Sequence, residues 1–129
     1  MAAASMQLID NIAFLIYVLF MRWKVVTLNS EVDKELESLD ASFKAKFLHI
    51  ANMLELFGPE HVKEPYCKPL GNKLWEIKMK SQVGIARAIY VTLKNKKIVI
   101  LHAFVKKTQK IPKNAISTAL KRLKEAKLT

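Results

Sequence analysis

Residues 73–112, KLWEIKMKSQVGIARAIYVTLKNKKIVILHAFVKKTQKIP, decide the fold. Trp75, Ile77 and Met79 alternate with Glu76, Lys78 and Lys80, the period-two pattern of a strand buried on one face. Ser81 to Gly84 supply a turn, Ile85 to Thr92 run back, and Lys94-Asn95-Lys96 turns the chain again into Lys97 to Val105. Connections this short pair neighbouring strands antiparallel, so the block reads as a three-strand meander. Arg87 interrupts an otherwise apolar strand and shares a face with Ile85, Ile89 and Val91. A cation there is costly unless it reaches a partner or a cleft. Two solutions fit: an ion pair with Glu76 on the neighbouring strand, or a bound polyanion. His102 falls on the third strand with Ile100 and Phe104 on its face, as a packed core residue or an acid-base group.

Upstream, Arg22 to Leu28 read as a first strand, broken by Asn29 and Ser30. Ser30 and Asp33 resemble a capping box ahead of Val32, Leu36 and Leu39 at helical spacing. Asp40 caps a longer helix in which Phe43, Phe47, Ile50, Leu54 and Phe57 keep to one face, and Gly58-Pro59 ends it. Pro59, Pro65, Pro69 and Gly71 then punctuate a loop over residues 60–72. Downstream, Pro112 suits the first position of a helix whose apolar stripe is Ile116, Ala119, Leu120 and Leu123. The fold class is α+β: an N-terminal strand, a helical hairpin, an antiparallel three-strand meander joining one sheet, and a C-terminal helix.

A chain of 129 residues makes one domain with one core. Its net charge of +11 is unevenly placed: residues 1–62 carry five cations and eight acids, residues 63–129 seventeen cations and three acids. The basic half suits a polyanionic partner, nucleic acid above all, against the alternative of a solvated lysine surface. The single cysteine, Cys67, excludes an internal disulfide and fits a reducing compartment, so a cytoplasmic location is expected. His49, His61 and His102 form no local metal motif, and neither metal nor cofactor is expected.

Residues 1–20 read as an apolar extension that is either not native or disordered, with the domain proper at 21–129. The unbroken apolar run from Ile12 to Met21 is about half of the ~20 residues a membrane-spanning helix needs. A native start at Met21 and a membrane anchor are the competing explanations, and no stable membrane association is expected.

The motifs KLWEIK, G-IARAIY and IVILHAFVKKTQKIP, followed by a basic amphipathic helix, resemble the phage-derived Gp49-like and HigB-like toxins of the RelE/ParE superfamily. The resemblance covers about residues 21–126 and implies a RelE-like fold. It also implies a type II toxin: a metal-independent endoribonuclease that cleaves mRNA on the ribosome, inhibits translation and is neutralised by a helix-turn-helix, HigA-like antitoxin. The reaction implied is attack of a ribose 2′-OH on its phosphate, giving a 2′,3′-cyclic phosphate. It asks for a base, an acid and cations for the transition state.

Carried over residue by residue, the resemblance makes Arg87 the phosphate clamp and Lys78 a second phosphate contact or proton-transfer group. Glu76 is a base or, more simply, the group that orients Arg87; His102 is a further acid-base candidate. Lys80, Lys106, Lys107 and Lys110 are RNA-binding candidates. Tyr90 falls on the face opposite Arg87, and no tyrosine follows it, unlike some superfamily toxins. The alternatives are a ParE-type toxin that binds DNA gyrase, since one fold serves both, and a non-catalytic nucleic-acid-binding phage accessory protein.

Overall fold

The computed structural model describes residues 2–106 and 112–128, with side chains from residue 7 onward. Helix α1 (Ala2–Met21) precedes strand β1 (Lys24–Thr27), helices α2 (Ser30–Glu37) and α3 (Ala41–Phe57), strands β2 (Cys67–Gly71), β3 (Leu74–Ser81), β4 (Gly84–Leu93) and β5 (Lys97–Lys106), and helix α4 (Lys113–Glu125). The five strands form one sheet in the order β1-β5-β4-β3-β2. The meander β3-β4-β5 is antiparallel as the alternation requires, and β1 joins β5 in parallel.

The sheet buries both faces. On one, Val32, Leu39, Phe43, Ile50 and Leu54 of the α2–α3 hairpin pack on Ile77, Met79, Ala86, Ala88, Tyr90, Ile98 and Ile100. On the other, Ala115, Ala119 and Leu123 of α4 cover Leu74, Ile89, Val91, Val99 and Leu101. The hairpin stripe therefore faces the sheet as its spacing predicts, except that Phe57 is 60% exposed. It sits in the last turn, beyond the reach of the strands.

Three local expectations change. The cap of α2 is Asn29, whose side chain accepts the Val32 N–H, and not Ser30. Pro112 stands one position earlier than expected, as the N-cap of α4. Within the expected loop 60–72 lies strand β2, paired with β3 at the edge of the sheet. Pro69 is tolerated because an outermost strand leaves one row of N–H groups without a ladder partner. Asn72 and Lys73, both left-handed at φ 53° and 67°, form the two-residue turn into β3. That geometry matches the right-handed twist of a hairpin and is favoured by Asn. Asp40 does cap α3, accepting from the Ser42 N–H.

Helix α1 carries its large apolar side chains, from Leu8 to Met21, exposed. Among the described residues no helix is long and apolar enough to cross a membrane. Glu55 of α3 reaches the outer side of β1, where its carboxylate accepts the Val25 N–H at 2.8 Å.

Candidate nucleic-acid interface

Strand alternation places Glu76 and Lys78 on the α4 face of β3, and the register sets Arg87 directly opposite Lys78. The next row toward the strand ends is Lys80, Ile85 and Lys106, and the row beyond Lys78 and Arg87 is Glu76, Ile89 and His102. The described part of α4 packs over the Ile89–Val91 end of this face. The Arg87–Lys78 end carries the charge.

Arg87 Nη1 donates to Glu76 Oε1, and both residues are sealed, at 4% and 0% exposure. The cross-strand ion pair that alternation allowed is therefore formed. Lys68 of β2 brings its ammonium to 3.4 Å from the same carboxylate oxygen. The pair is not saturated: Glu76 Oε2 and Arg87 Nε are buried without a hydrogen-bond partner among the described residues. Unmet polar atoms are costly in a core and mark a place where a ligand or ordered water would be favoured. Glu76 and Arg87 also contribute to the lining of a pocket of about 100 Å³, together with Tyr66, Lys68 and Lys78, with Cys67 and the Glu64–Pro65 corner closing it.

Lys106 belongs to the same electrostatic neighbourhood. Its pKa is lowered, first by desolvation and then by the charge of Arg87, with smaller contributions from Lys68 and Lys78 and an opposing one from Glu76. Lys80 is exposed at the margin. Lys107 and Lys110 lie outside the described residues. Tyr90, fully buried on the hairpin side, stays away from the basic face as alternation requires. Burial pushes the Cys67 thiol up to about 11, with a contribution from the Glu76 charge, so it is protonated at neutral pH. Among the described residues, no group of His, Cys, Asp and Glu is arranged to hold a metal ion.

His102 keeps the face of Phe104 but not that of Ile100, with which strict alternation grouped it. The pairing of β4 with β5 shifts between Ile89 and Tyr90, so that Ile89 meets His102 while Tyr90 meets Ile100. This bulge leaves Leu101 as the extra residue and sends Ile100 into the hairpin-side core, while Leu101 packs under α4. Phe104 remains the neighbour of His102, with ring centroids 5.0 Å apart and planes nearly parallel.

A second charged cluster forms around it. Glu35, on the last turn of α2, accepts the Ala103 N–H at 3.1 Å and lies 2.9 Å from His102 Nδ1. Arg122 of α4 donates to both Glu35 oxygens, at 3.0 and 2.8 Å, to the Leu101 carbonyl at 2.9 Å, and to Glu31 at 3.3 Å. Burial alone would raise the Glu35 pKa, but the hydrogen bonds from Arg122, His102 and Ala103 outweigh it and hold the carboxyl below its ordinary range. The cluster occupies the side of β5 beyond the end of β1, satisfying backbone groups there that a sixth strand would otherwise take.

Lys68, Glu35 and Arg122 were not singled out from the sequence. The one legible trace is that Arg122 stands three residues after Ala119, on the margin of the apolar stripe of its helix.

Fold and charge together define a small α+β protein whose open sheet is armoured by helices on one face and carries a basic, partly uncovered surface on the other. Residues 34–124 match the model of the phage-derived Gp49-like protein family, and the chain belongs to that family, which is one of RelE/HigB-type toxins. The match takes in Glu35, Glu76, Arg87, His102 and Arg122, while α1 and β1 precede it. No curated protein matches the chain.

Proposed function

We propose that the protein is the toxin of a type II toxin-antitoxin pair, a metal-independent endoribonuclease that cleaves mRNA on the ribosome in the cytoplasm. The observation that carries this reading is the cation-lined pocket beside the buried Glu76–Arg87 pair. A phosphodiester is a fitting occupant: its oxygens accept from Arg87, Lys78 and Lys68, its backbone continues over Lys80 and Lys106, and Lys107 and Lys110 are further candidates by sequence. Glu76 orients the guanidinium. A planar fork fixed in this way is pre-organised for the extra charge of a pentacovalent phosphate, an effect worth about 10²–10³ in rate per donor in comparable sites. The basic half also offers a surface to an acidic segment of a HigA-like helix-turn-helix antitoxin.

The test is induction of the wild type and of Lys78→Ala in cells, with growth scored and mRNA 5′ ends mapped. New 5′-hydroxyl ends with growth arrest, both reduced by Lys78→Ala, are expected. Arrest with no new ends but gyrase-linked DNA damage would replace this reading with the ParE type. Absence of toxicity from a stably folded wild type would leave a non-catalytic accessory protein.

A further inference from the structure

Glu35 belongs to a helix on the edge of the basic face, yet its carboxylate is joined to His102 on that face. We propose that Glu35 is the positioning residue for His102, accepting its Nδ1–H so that Nε2 is the atom available to take a proton from an RNA 2′-OH. This inference rests on the nuclease reading above and adds to it a proton acceptor and the group that holds it.

The protonation pattern follows from the partners. An ionised carboxylate offers acceptors only, so a 2.9 Å contact to His102 Nδ1 requires the proton on that nitrogen. Arg122 offers donors only; its Nη1 is 3.4 Å from Nδ1 but is engaged more closely by Glu35 Oε1 and the Leu101 carbonyl. In neutral His102 the lone pair is thereby left on Nε2. That atom has no hydrogen-bond partner among the described residues and is not among the buried, unpartnered atoms. The Phe104 ring holds the imidazole plane, and Arg122 in turn fixes Glu35 through two hydrogen bonds. The groups of either charge around the imidazole are Glu31 and Glu35 of α2 and Arg122 of α4. Glu76, Arg87 and Lys106 share its sheet face.

In the step so served, the 2′-oxygen forms its bond to phosphorus as its proton passes to Nε2. The bond from phosphorus to the 5′-oxygen breaks, and that oxygen takes a proton from the Lys106 ammonium. Products are the 2′,3′-cyclic phosphate and a free 5′-OH. Water returns a proton to Lys106 and removes one from His102. Glu35 touches neither substrate nor product; it sets the ring and balances the imidazolium that forms.

The experiment uses the full chain in three forms: wild type, Glu35→Met and Glu35→Gln. Nitrogen-15 NMR of labelled histidine reads the His102 tautomer, and cleavage of mRNA on ribosomes gives kcat and KM. Wild type is expected as the Nδ1–H tautomer. Glu35→Met should revert to Nε2–H and lose about ten- to a hundredfold in kcat with KM little changed, the usual cost of a lost orienting partner. Glu35→Gln, which keeps an acceptor without the charge, should keep the tautomer and recover part of the rate. An Nε2–H tautomer in a wild type that cleaves RNA would overturn the inference alone. So would a Glu35→Met protein, folded and with the tautomer changed, that cleaves at the wild-type rate. A wild type with the Nδ1–H tautomer that cleaves nothing would overturn the nuclease reading while upholding the hold of Glu35 on the ring.

Discussion

The sheet carries two carboxylate–arginine pairs built on opposite plans. Glu76 and Arg87 come from adjacent strands, are fixed by register, and are sealed from solvent with two polar atoms unmet. Glu35 and Arg122 come from two helices far apart in sequence, keep 23% and 15% of their side chains exposed, and make many hydrogen bonds, including to the backbone of β5. The first pair is held by the fold; the second helps to hold the fold, tying α2 and α4 to one strand. A buried pair that is incompletely bonded contributes little net stability, because desolvation offsets attraction, so its retention fits a task other than stability. A half-open, well-bonded pair has the reverse balance and remains in contact with bulk pH.

The contrast can be broken at several points. Arg87→Ala leaves the buried Glu76 carboxyl with only the half-exposed Lys68 ammonium beside it and should cost about 3–5 kcal/mol in urea unfolding, whereas Glu76→Leu with Arg87→Met should cost little or even stabilise. A double variant as unstable as the single would show that the sealed pair contributes to stability after all. Arg122→Ala removes charged hydrogen bonds that are partly wet, and a loss of about 1.5–3 kcal/mol is expected, with α4 the first segment to gain amide exchange. Uniform exchange across the sheet instead would deny it the role of a tie between layers.

The pH response separates the pairs further. The Glu35 pKa in the fold lies below its ordinary 4.5, so the unfolded chain takes up the proton at higher pH than the folded one. Its contribution is therefore complete above about pH 5 and fades as the pH falls through the folded value. A melting series from pH 7 to pH 3 should fall less steeply in Glu35→Gln than in the wild type; identical slopes would remove Glu35 from the acid response. The smallest effect is reserved for Lys68→Ala. Its side chain is 43% exposed beside Glu76, so stability should change by less than about 1 kcal/mol while RNA affinity falls.

Strand alternation made the sealed pair readable in advance, since Glu76 and Arg87 had to share a face of neighbouring strands. The half-open pair was hidden because it depends on where two helices dock and on one extra residue in β5. Strict alternation assigns His102 to the face of Ile100 and Phe104; the bulge at Leu101 moves Ile100 to the other core and leaves His102 with Phe104, beside α2 and α4. Strand β2 was missed for a different reason. Proline argues against a central strand, and only the tertiary fact that Cys67–Gly71 is outermost makes Pro69 acceptable. The reach of the hairpin stripe was overdrawn by one turn at Phe57 because helical spacing does not say where the sheet beneath ends.

The two outer strands of the open sheet each carry a feature that works against adding strands from a neighbouring chain. Exposed ladders are templates for association between chains, and proline, charge and side-chain plugs are the means of blunting them. On one border Pro69 removes a donor and Lys68 adds charge. On the other, Glu55 occupies the Val25 N–H and leaves a carboxylate where another backbone would have to approach. Both borders thus carry features that disfavour edge-to-edge pairing in a sheet that does not close into a barrel.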